Sequence, residues 1–355
     1  MRIALLFPYF KPHFGGVETV LWEVSKRMTG HEVHVITSLL PNTREYELME
    51  GVHVHRIQSF LPERVPYPIP KRLGLRVLAK IREINPDVLV THNVVSWYTL
   101  LAVIAKRLYK KPLVLVMHTT DANYGVGALN TILNAYYFFS GIIRSQFDLV
   151  CAPMKNTLYR LAPDEIIPNG VDKKRFNKGD KKSARIKLNL PPDEKIVLFV
   201  GRFIPVKGVE TLIKVMNSRD DVRFVLVGQG YLEERIREKT GGNVLIREPT
   251  EDVHLYYQAA DACIIPSLAE GFCLTAIEAT ACKTPIVGSK TGILPYLTDY
   301  AFEPGDWEGM NSGLTEVLRK ACPVNREYEI LDWTRVAEKY VGILEEIIEK
   351  KKIVL

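Results

Sequence analysis

Apolar and polar positions alternate along this chain with two periods. Short continuous apolar runs are followed by stretches whose apolar residues return every three or four positions. Ile3–Phe7, Glu32–Thr37, Val52–Ile57, Val88–Thr91, Leu113–Met117 and Leu149–Ala152 are predicted as strands. Gly15–Met28, with Val17, Val20, Leu21 and Val24 on one face, Leu73–Ile84 and Tyr98–Leu108 are predicted as helices. Runs such as Leu113–Met117 lack alternation, as strands covered on both faces do. Strand–helix alternation of this kind builds parallel sheets with crossover helices.

A second series repeats the theme. Strands are predicted at Lys195–Val200, Arg223–Val227, Val244–Ile246, Ala262–Ile265 and Pro285–Gly288, the last closing the series. Helices are predicted at Val209–Asn217, Leu232–Lys239, Leu255–Ala260 and Leu274–Ala281. Pro168-Asn169-Gly170 marks a turn, and the basic, poorly periodic stretch Asp172–Asn189 reads as a linker. Trp333–Lys352 reads as one amphipathic helix. Two α/β halves joined near 170–190 imply a cleft, with ligands at the carboxyl ends of the strands.

Composition agrees with a two-domain globular protein of 355 residues, 47% hydrophobic and 25% charged. No apolar run reaches the ~18 residues of a membrane-spanning helix. The opening MRIALLFPYF reads as a first strand rather than a cleaved leader. Five cysteines without C-x-x-C spacing suit a reducing cytoplasm. Net charge is +6, yet residues 60–111 alone hold ten basic residues and three acidic ones. That patch, with Pro62, Pro66, Pro68 and Pro70 and the amphipathic stretch Leu73–Ile84, suits an anionic membrane face or a pair of solvated helix faces. No recognition motif for nucleic acid accompanies it. Tyr136-Tyr137-Phe138-Phe139 reads as core or as an apolar acceptor groove.

Several turns carry chemistry. Gly15-Gly16-Val17-Glu18 follows the first strand and opens a helix, where free N–H groups attract an anion. Arg202 ends a strand and Lys207 lies five residues on; a planar donor fork and a mobile point charge can clamp a diphosphate. Val227-Gly228-Gln229-Gly230 reads as a glycine turn. Glu270-Gly271-Phe272-Cys273-Leu274-Thr275-Ala276-Ile277-Glu278 sits between a strand and a helix starting near Phe272. There two carboxylates flank a helix N-terminus and can hold hydroxyls and a phosphate together. His118 ends a strand, with Asp121 after it, while His13, His31, His34, His53, His55, His92 and His254 read as ordinary. No His, Cys or carboxylate spacing suggests a metal site.

In order along the chain stand GGVE at 15–18, His118, IPNGVD at 167–172, VGRFIPVKG at 200–208 and VGQG at 227–230. YQAADACIIPSLAEGFCLTAIEATACKTPIV at 257–287 and FEPGD at 302–306 follow. With these pieces the chain resembles the GT-B-fold retaining glycosyltransferases of family 4, the glycosyl transferases group 1. The resemblance implies two Rossmann-like domains facing across a cleft. An acceptor-side domain would span 1–172, joined by the C-terminal helix at about 334–355, and a nucleotide-sugar domain 173–333. It implies metal-independent transfer of a hexose from a UDP-sugar or GDP-mannose to a glycan or lipid-linked acceptor. No cofactor is implied. Cysteine usage suits the cytoplasm, and the basic segment 60–111 suits peripheral contact with the cytoplasmic membrane face.

Residue by residue, the resemblance puts Gly15 and Gly16 at the donor phosphates and Arg202 and Lys207 on the leaving diphosphate. It puts Glu270 on donor-sugar hydroxyls and the N–H groups of Leu274 and Thr275, beyond Phe272 and Cys273, on the distal phosphate. Glu278 would take the ribose, the segment around Arg247 the base, and His118 the sugar near the reacting carbon. His118, Glu270, Arg202 and Lys207 form the implied catalytic set. The chain departs from the family where Cys273 and Lys283 replace glycines, and where Gly292-Ile293-Leu294-Pro295-Tyr296 replaces a Gly-Gly-x-Pro-Glu stretch. A catalytically silent nucleotide-binding subunit, or another GT-B chemistry such as phosphorolysis or epimerisation, is the alternative.

Overall fold

The computed structural model describes residues 1–61, 67–94, 96–118, 143–155, 162–320 and 325–354. The Tyr136–Phe139 run, Asp121, Pro62 and Pro66 lie outside the described residues. The chain divides into two compact units. One holds the described residues up to His118, those from Ile143 to Asn169, and the C-terminal helix from Trp333; the other holds Gly170 to Asp332.

The first unit carries strands β1 (Arg2–Leu6), β2 (Glu32–Ser38), β3 (Tyr46–Met49) and β4 (Val52–Ile57), a small hairpin of β5 (Ser59–Phe60) and β6 (Ile69–Pro70), then β7 (Val88–His92), β8 (Leu113–Val116), β9 (Leu149–Ala152) and β10 (Glu165–Ile166). Its sheet runs β10-β9-β8-β7-β1-β2-β4-β3, parallel throughout except where β3 lies antiparallel to β4. β1 is central, in register Leu5↔Val35 on one side and Leu5↔Val90 on the other. Its residues Ile3 to Leu6 are buried because helices cover both faces.

The helix expected at Leu73–Ile84 spans Leu75–Ile84. Leu73 and Gly74 stand in left-handed conformation at φ 52° and 80°. Torsion favours glycine at 74, and a Cβ there would also crowd the Leu101 side chain, with Cδ1 at 2.4 Å. The helix ends on Asn85 at φ 47°, and the helix Trp97–Tyr109 begins on Ser96, whose side chain accepts the Thr99 N–H.

The second unit contributes β11 (Gly170–Val171), β12 (Ile196–Val200), β13 (Arg223–Val227), β14 (Val244–Arg247), β15 (Ala262–Ile265), β16 (Ile286–Ser289), β17 (Ala301–Phe302) and β18 (Leu331–Asp332). Six of these form an all-parallel sheet in the order β14-β13-β12-β15-β16-β17. The series does not close at residue 288: β17 extends the sheet beyond β16. Strand order reverses between β12 and β15, the switch point where doubly wound sheets bind ligands.

The stretch read as a linker is partly structural. Lys181–Lys187 is a helix capped by Asp180, and Arg185 on it is buried. The Arg185 guanidinium donates to Ala259 O at 3.0 Å, Pro192 O at 2.5 Å and Asp261 Oδ2 at 2.8 Å. Basic composition concealed an element whose arginine is anchored inward rather than solvated.

Candidate functional site

In the second unit the implied donor residues gather at the carboxyl edge of the sheet. After β12 the chain turns through Gly201-Arg202-Phe203 and a single 3-10 turn, Pro205–Lys207, before the helix Val209–Asn217. Gly208 sits at φ 69°, and a Cβ there would stand 1.9 Å from Pro266 O, so the loops after β12 and β15 meet backbone to backbone. The second glycine turn has the same logic. A Cβ on Gly228 would lie 1.9 Å from Gly201 O, and one on Gly230 2.5 Å from Phe203 O. Phe203 N donates to Gln229 O at 2.9 Å, fastening the two turns together. These glycines shape the Arg202 loop from behind.

The structure brings Lys207 and Glu270 into contact. Lys207 Nζ lies 2.6 Å from Glu270 Oε1, and Ser267 Oγ donates to the same oxygen at 2.6 Å. Ser267 is itself held through its carbonyl, which accepts Ser289 Oγ at 2.5 Å. Arg202 is exposed, and its side chain makes no hydrogen bond or ion pair among the described residues. Charge on the edge is thus split between a paired lysine and an unengaged guanidinium.

The helix expected near Phe272 starts at Leu274, two residues later, because Cys273 holds φ 90° and ψ 86° just before it. This conformation suits glycine, and it is one of the two positions where the resemblance leads one to expect glycine. The other, Lys283, lies at φ 60° past the end of the same helix. Cys273 offers no side-chain cap, and the N–H groups of Leu274 and Thr275 have no partner among the described residues. The positive end of the helix therefore remains open to an anion. Thr275 Oγ1 reaches Val200 O at 3.4 Å, tying this end to β12. Gly292, at φ 52°, supports the same loop; a Cβ there would stand 2.7 Å from Phe272 O and 3.0 Å from Glu270 Cβ.

Glu278 is half-buried in the second turn of that helix. Tyr257, fully buried, donates its hydroxyl to Glu278 Oε2 at 2.7 Å. Burial raises the Glu278 carboxyl above its ordinary value while the Tyr257 hydrogen bond opposes the rise. The Tyr257 phenol is pushed well up by burial and by the adjacent carboxylate. Sequence reasoning missed Tyr257 as a functional residue, although it opens the run that carries both glutamates. Arg247 ends β14 half-buried, beside Tyr256.

Gly15, Gly16 and His118 belong to the first unit. Gly15 precedes the helix Gly16–Ser25 and accepts both the N–H and the hydroxyl of Thr19 at 2.9 Å. Buried Glu18, the last residue of the Gly15–Glu18 motif, folds against Gly15 and lies 2.9 Å from Nδ1 of His13, a histidine that sequence reasoning treated as ordinary. His118 follows β8. Its N–H donates to Asn93 Oδ1 at 3.0 Å, and its Nε2 lies 2.8 Å from His92 Nδ1. The two rings stack, 5.0 Å between centroids and 17° between planes. Burial lowers His118 to about 4 and His92 well below the usual histidine value, so both rings are neutral near pH 7. Among the described residues, no group of three or more His, Cys, Asp or Glu is arranged to hold a metal ion.

Comparison with known proteins agrees with this architecture. Residues 14–175 match the family "Glycosyltransferase Family 4" and residues 180–328 match "Glycosyl transferases group 1". A D-inositol 3-phosphate glycosyltransferase of Segniliparus rotundus is 38% identical over 146 residues, covering 37% of this chain and 32% of that protein. The chain therefore matches about a third of that relative's length. A GDP-mannose-dependent alpha-mannosyltransferase of Corynebacterium glutamicum is 27% identical over 99% of this chain and 85% of its own. Sucrose-phosphate synthase from Thermosynechococcus elongatus superposes with a TM-score of 0.74 at 22% identity, covering 99% of this chain and 98% of its own. Anabaena HepE, in complex with UDP and glucose, superposes with a TM-score of 0.73 at 18% identity, covering 98% of this chain and 100% of its own. Two doubly wound units in one chain, with these structural neighbours, place the fold in the GT-B class. Within that class, the chain belongs to the group 1 glycosyltransferases.

Proposed function

We propose that this protein is a retaining hexosyltransferase that takes a sugar from a nucleotide diphosphate donor and passes it to a glycan or lipid-linked acceptor. The observation that carries the reading is the cationic edge of the second unit. Lys207 is held on Glu270, Arg202 is unengaged, and the helix N-terminus at Leu274–Thr275 is open, all beside the β12/β15 switch point. A departing diphosphate gains negative charge, and fixed donors already in position lower that barrier without reorganising. Glu270, held by Ser267, is suited to accept hydrogen bonds from sugar hydroxyls, and Glu278, held by Tyr257, from ribose hydroxyls. Fixed cations in this role make a divalent ion unnecessary for leaving-group neutralisation. The acceptor then attacks the face that the diphosphate leaves, the departing oxygen taking its proton.

The relatives include a GDP-mannose-dependent enzyme and a protein bound to UDP and glucose, so both nucleotides are titrated. Calorimetry with UDP and GDP should give saturable binding to at least one. The double variant Arg202→Ala/Lys207→Ala should weaken it at least about 100-fold, on the order of two charge-assisted contacts. Donor turnover should persist in EDTA. Absence of binding to either nucleotide, or a double variant with unchanged affinity, overturns the reading.

For the acceptor we propose a membrane-proximal lipid-linked glycan at the cytoplasmic face. Leu73 and Leu75 are 77% and 65% exposed, Phe60 and Leu61 are also exposed, and Lys71, Arg72 and Arg76 lie among them in sequence. Apolar side chains beside cations suit an anionic bilayer surface. Co-sedimentation with phosphatidylglycerol vesicles should fall with salt and with Leu73→Ser/Leu75→Ser. Absence from the pellet at every salt concentration counts against it.

A further inference from the structure

Of the two histidines stacked at the ends of β7 and β8, the resemblance assigns a role only to His118. His92 ends β7 and His118 follows the neighbouring strand β8, in register His92↔Val116. The register sets the rings side by side, and His92 Nδ1 and His118 Nε2 share one proton across 2.8 Å. His92 is 2% exposed, and its second nitrogen, Nε2, is buried without a hydrogen-bond partner. His118 Nδ1 has no partner among the described residues.

Proton placement follows from the burial of His92 Nε2. If His118 donated from Nε2, His92 would accept on Nδ1 and carry its own proton on Nε2. That N–H would be a buried donor with no acceptor. If His92 donates from Nδ1, its Nε2 is an unprotonated lone pair instead. Among buried backbone groups, orphaned N–H donors are rarer than under-used acceptors, and the same order is taken for the imidazole. The second arrangement is therefore favoured. It leaves neutral His118 with its proton on Nδ1, the nitrogen not engaged by His92. Asn93 fixes the other side of the geometry: it accepts the His118 backbone N–H at 3.0 Å and donates its own to Val116 O at 2.9 Å.

We propose that His92 is a positioning residue that locks His118 in the Nδ1–H tautomer, so that His118 meets the donor sugar as a neutral hydrogen-bond donor and not as a base. The inference rests on the transferase reading for the identity of the ligand, but the tautomer itself does not. The depressed basicity of both rings supports it, because a second proton on His118 Nε2 would break the bond to His92.

The experiment compares the native protein with His92→Asn, whose side-chain amide N–H stands near the place of imidazole Nδ1–H, and His92→Leu, which keeps bulk and loses the donor. Long-range nitrogen–proton correlation spectra of the ligand-free protein report the His118 tautomer. Nδ1–H is expected in native protein and in His92→Asn. A shift toward Nε2–H, the form histidine favours in water, is expected in His92→Leu. Calorimetry with UDP and UDP-glucose, and with GDP and GDP-mannose, supplies the second readout. His92→Leu should weaken the nucleotide sugar about tenfold, near 1.4 kcal/mol, and leave the nucleoside diphosphate within twofold. His92→Asn should restore most of the loss. An Nε2–H His118 in the native protein overturns the inference. So does equal impairment of the Asn and Leu variants, or a His92→Leu protein that weakens diphosphate and nucleotide sugar alike. Lack of all nucleotide binding by native protein instead overturns the transferase reading and leaves the tautomer result standing.

Discussion

Tyr257 and Glu278 come from different helices, yet the phenol of one donates to the carboxylate of the other at 2.7 Å. Tyr257 is fully buried, and it fixes one carboxylate oxygen of Glu278. If Glu278 binds ribose hydroxyls, Tyr257→Phe should weaken UDP or GDP binding by about tenfold to 150-fold, the range for one hydrogen bond to a charged group. Dideoxy analogues, lacking those hydroxyls, should bind native and variant protein equally. Calorimetry on both ligand sets decides it; an equal loss for the dideoxy analogues would show that Tyr257 acts only on the fold.

Gly228 tests how the Arg202 loop is shaped. A Cβ there would stand 1.9 Å from a backbone oxygen, whereas one on Gly242 would meet nothing within 4 Å. Gly228→Ala should cost about 2–3 kcal/mol in urea unfolding, as overpacking against rigid backbone does, and should also lower nucleotide affinity. Gly242→Ala should be close to neutral. Similar midpoints for the two variants would refute the close-approach argument.

Lys283 is exposed and sits past the helix Leu274–Ala281 at φ 60°. Its N–H bonds Thr280 O at 3.0 Å, and the Thr284 N–H bonds Ala279 O at 2.9 Å, the hydrogen-bond pattern of a Schellman cap. Lys283→Gly should raise stability by about 0.5–1 kcal/mol, and Lys283→Val should lower it by about 1 kcal/mol or more. Opposite shifts in unfolding midpoint are expected, and shifts of one sign would exclude torsional strain as the cause.

His55 is buried on β4 within a stack that includes His34 and His53. Burial lowers it to about 4, against an ordinary value of 6.5, with repulsion from the protonated form of His34 and from Lys80 adding to the effect. The unfolded chain takes up this proton below about 6.5 and the folded chain only near 4. Stability is thus fully present above 6.5 and is lost as pH falls toward 4. His34, His92 and His118 shift in the same direction. Unfolding midpoints measured across this window should fall more gently in His55→Gln than in native protein. Identical pH slopes would remove His55 from the account.

Most of the elements were readable from local patterning. Continuous apolar runs such as Ile196–Val200 became buried parallel strands, and amphipathic stretches such as Val209–Asn217 became helices at the stated bounds. Errors arose where one residue's contacts overrode its local pattern. Lys181–Lys187 looked like a solvated basic linker because nothing nearby in sequence reveals that Arg185 is received by Ala259 and Asp261. Leu73 continues a helical pattern, but the fit of Gly74 against Leu101 starts the helix two residues later.

By itself the sequence determined which segments are strands and helices, where glycine-rich turns follow strands, and which charged residues those turns carry. Those properties depend on neighbours within a few positions, through periodicity and backbone torsion. Only the tertiary structure decided that Lys207 pairs with Glu270, that Tyr257 holds Glu278, and that His92 bonds His118. Such contacts follow from strand order and register, which bring together residues separated by 63, 21 and 26 positions. Local patterning contains no term for that placement.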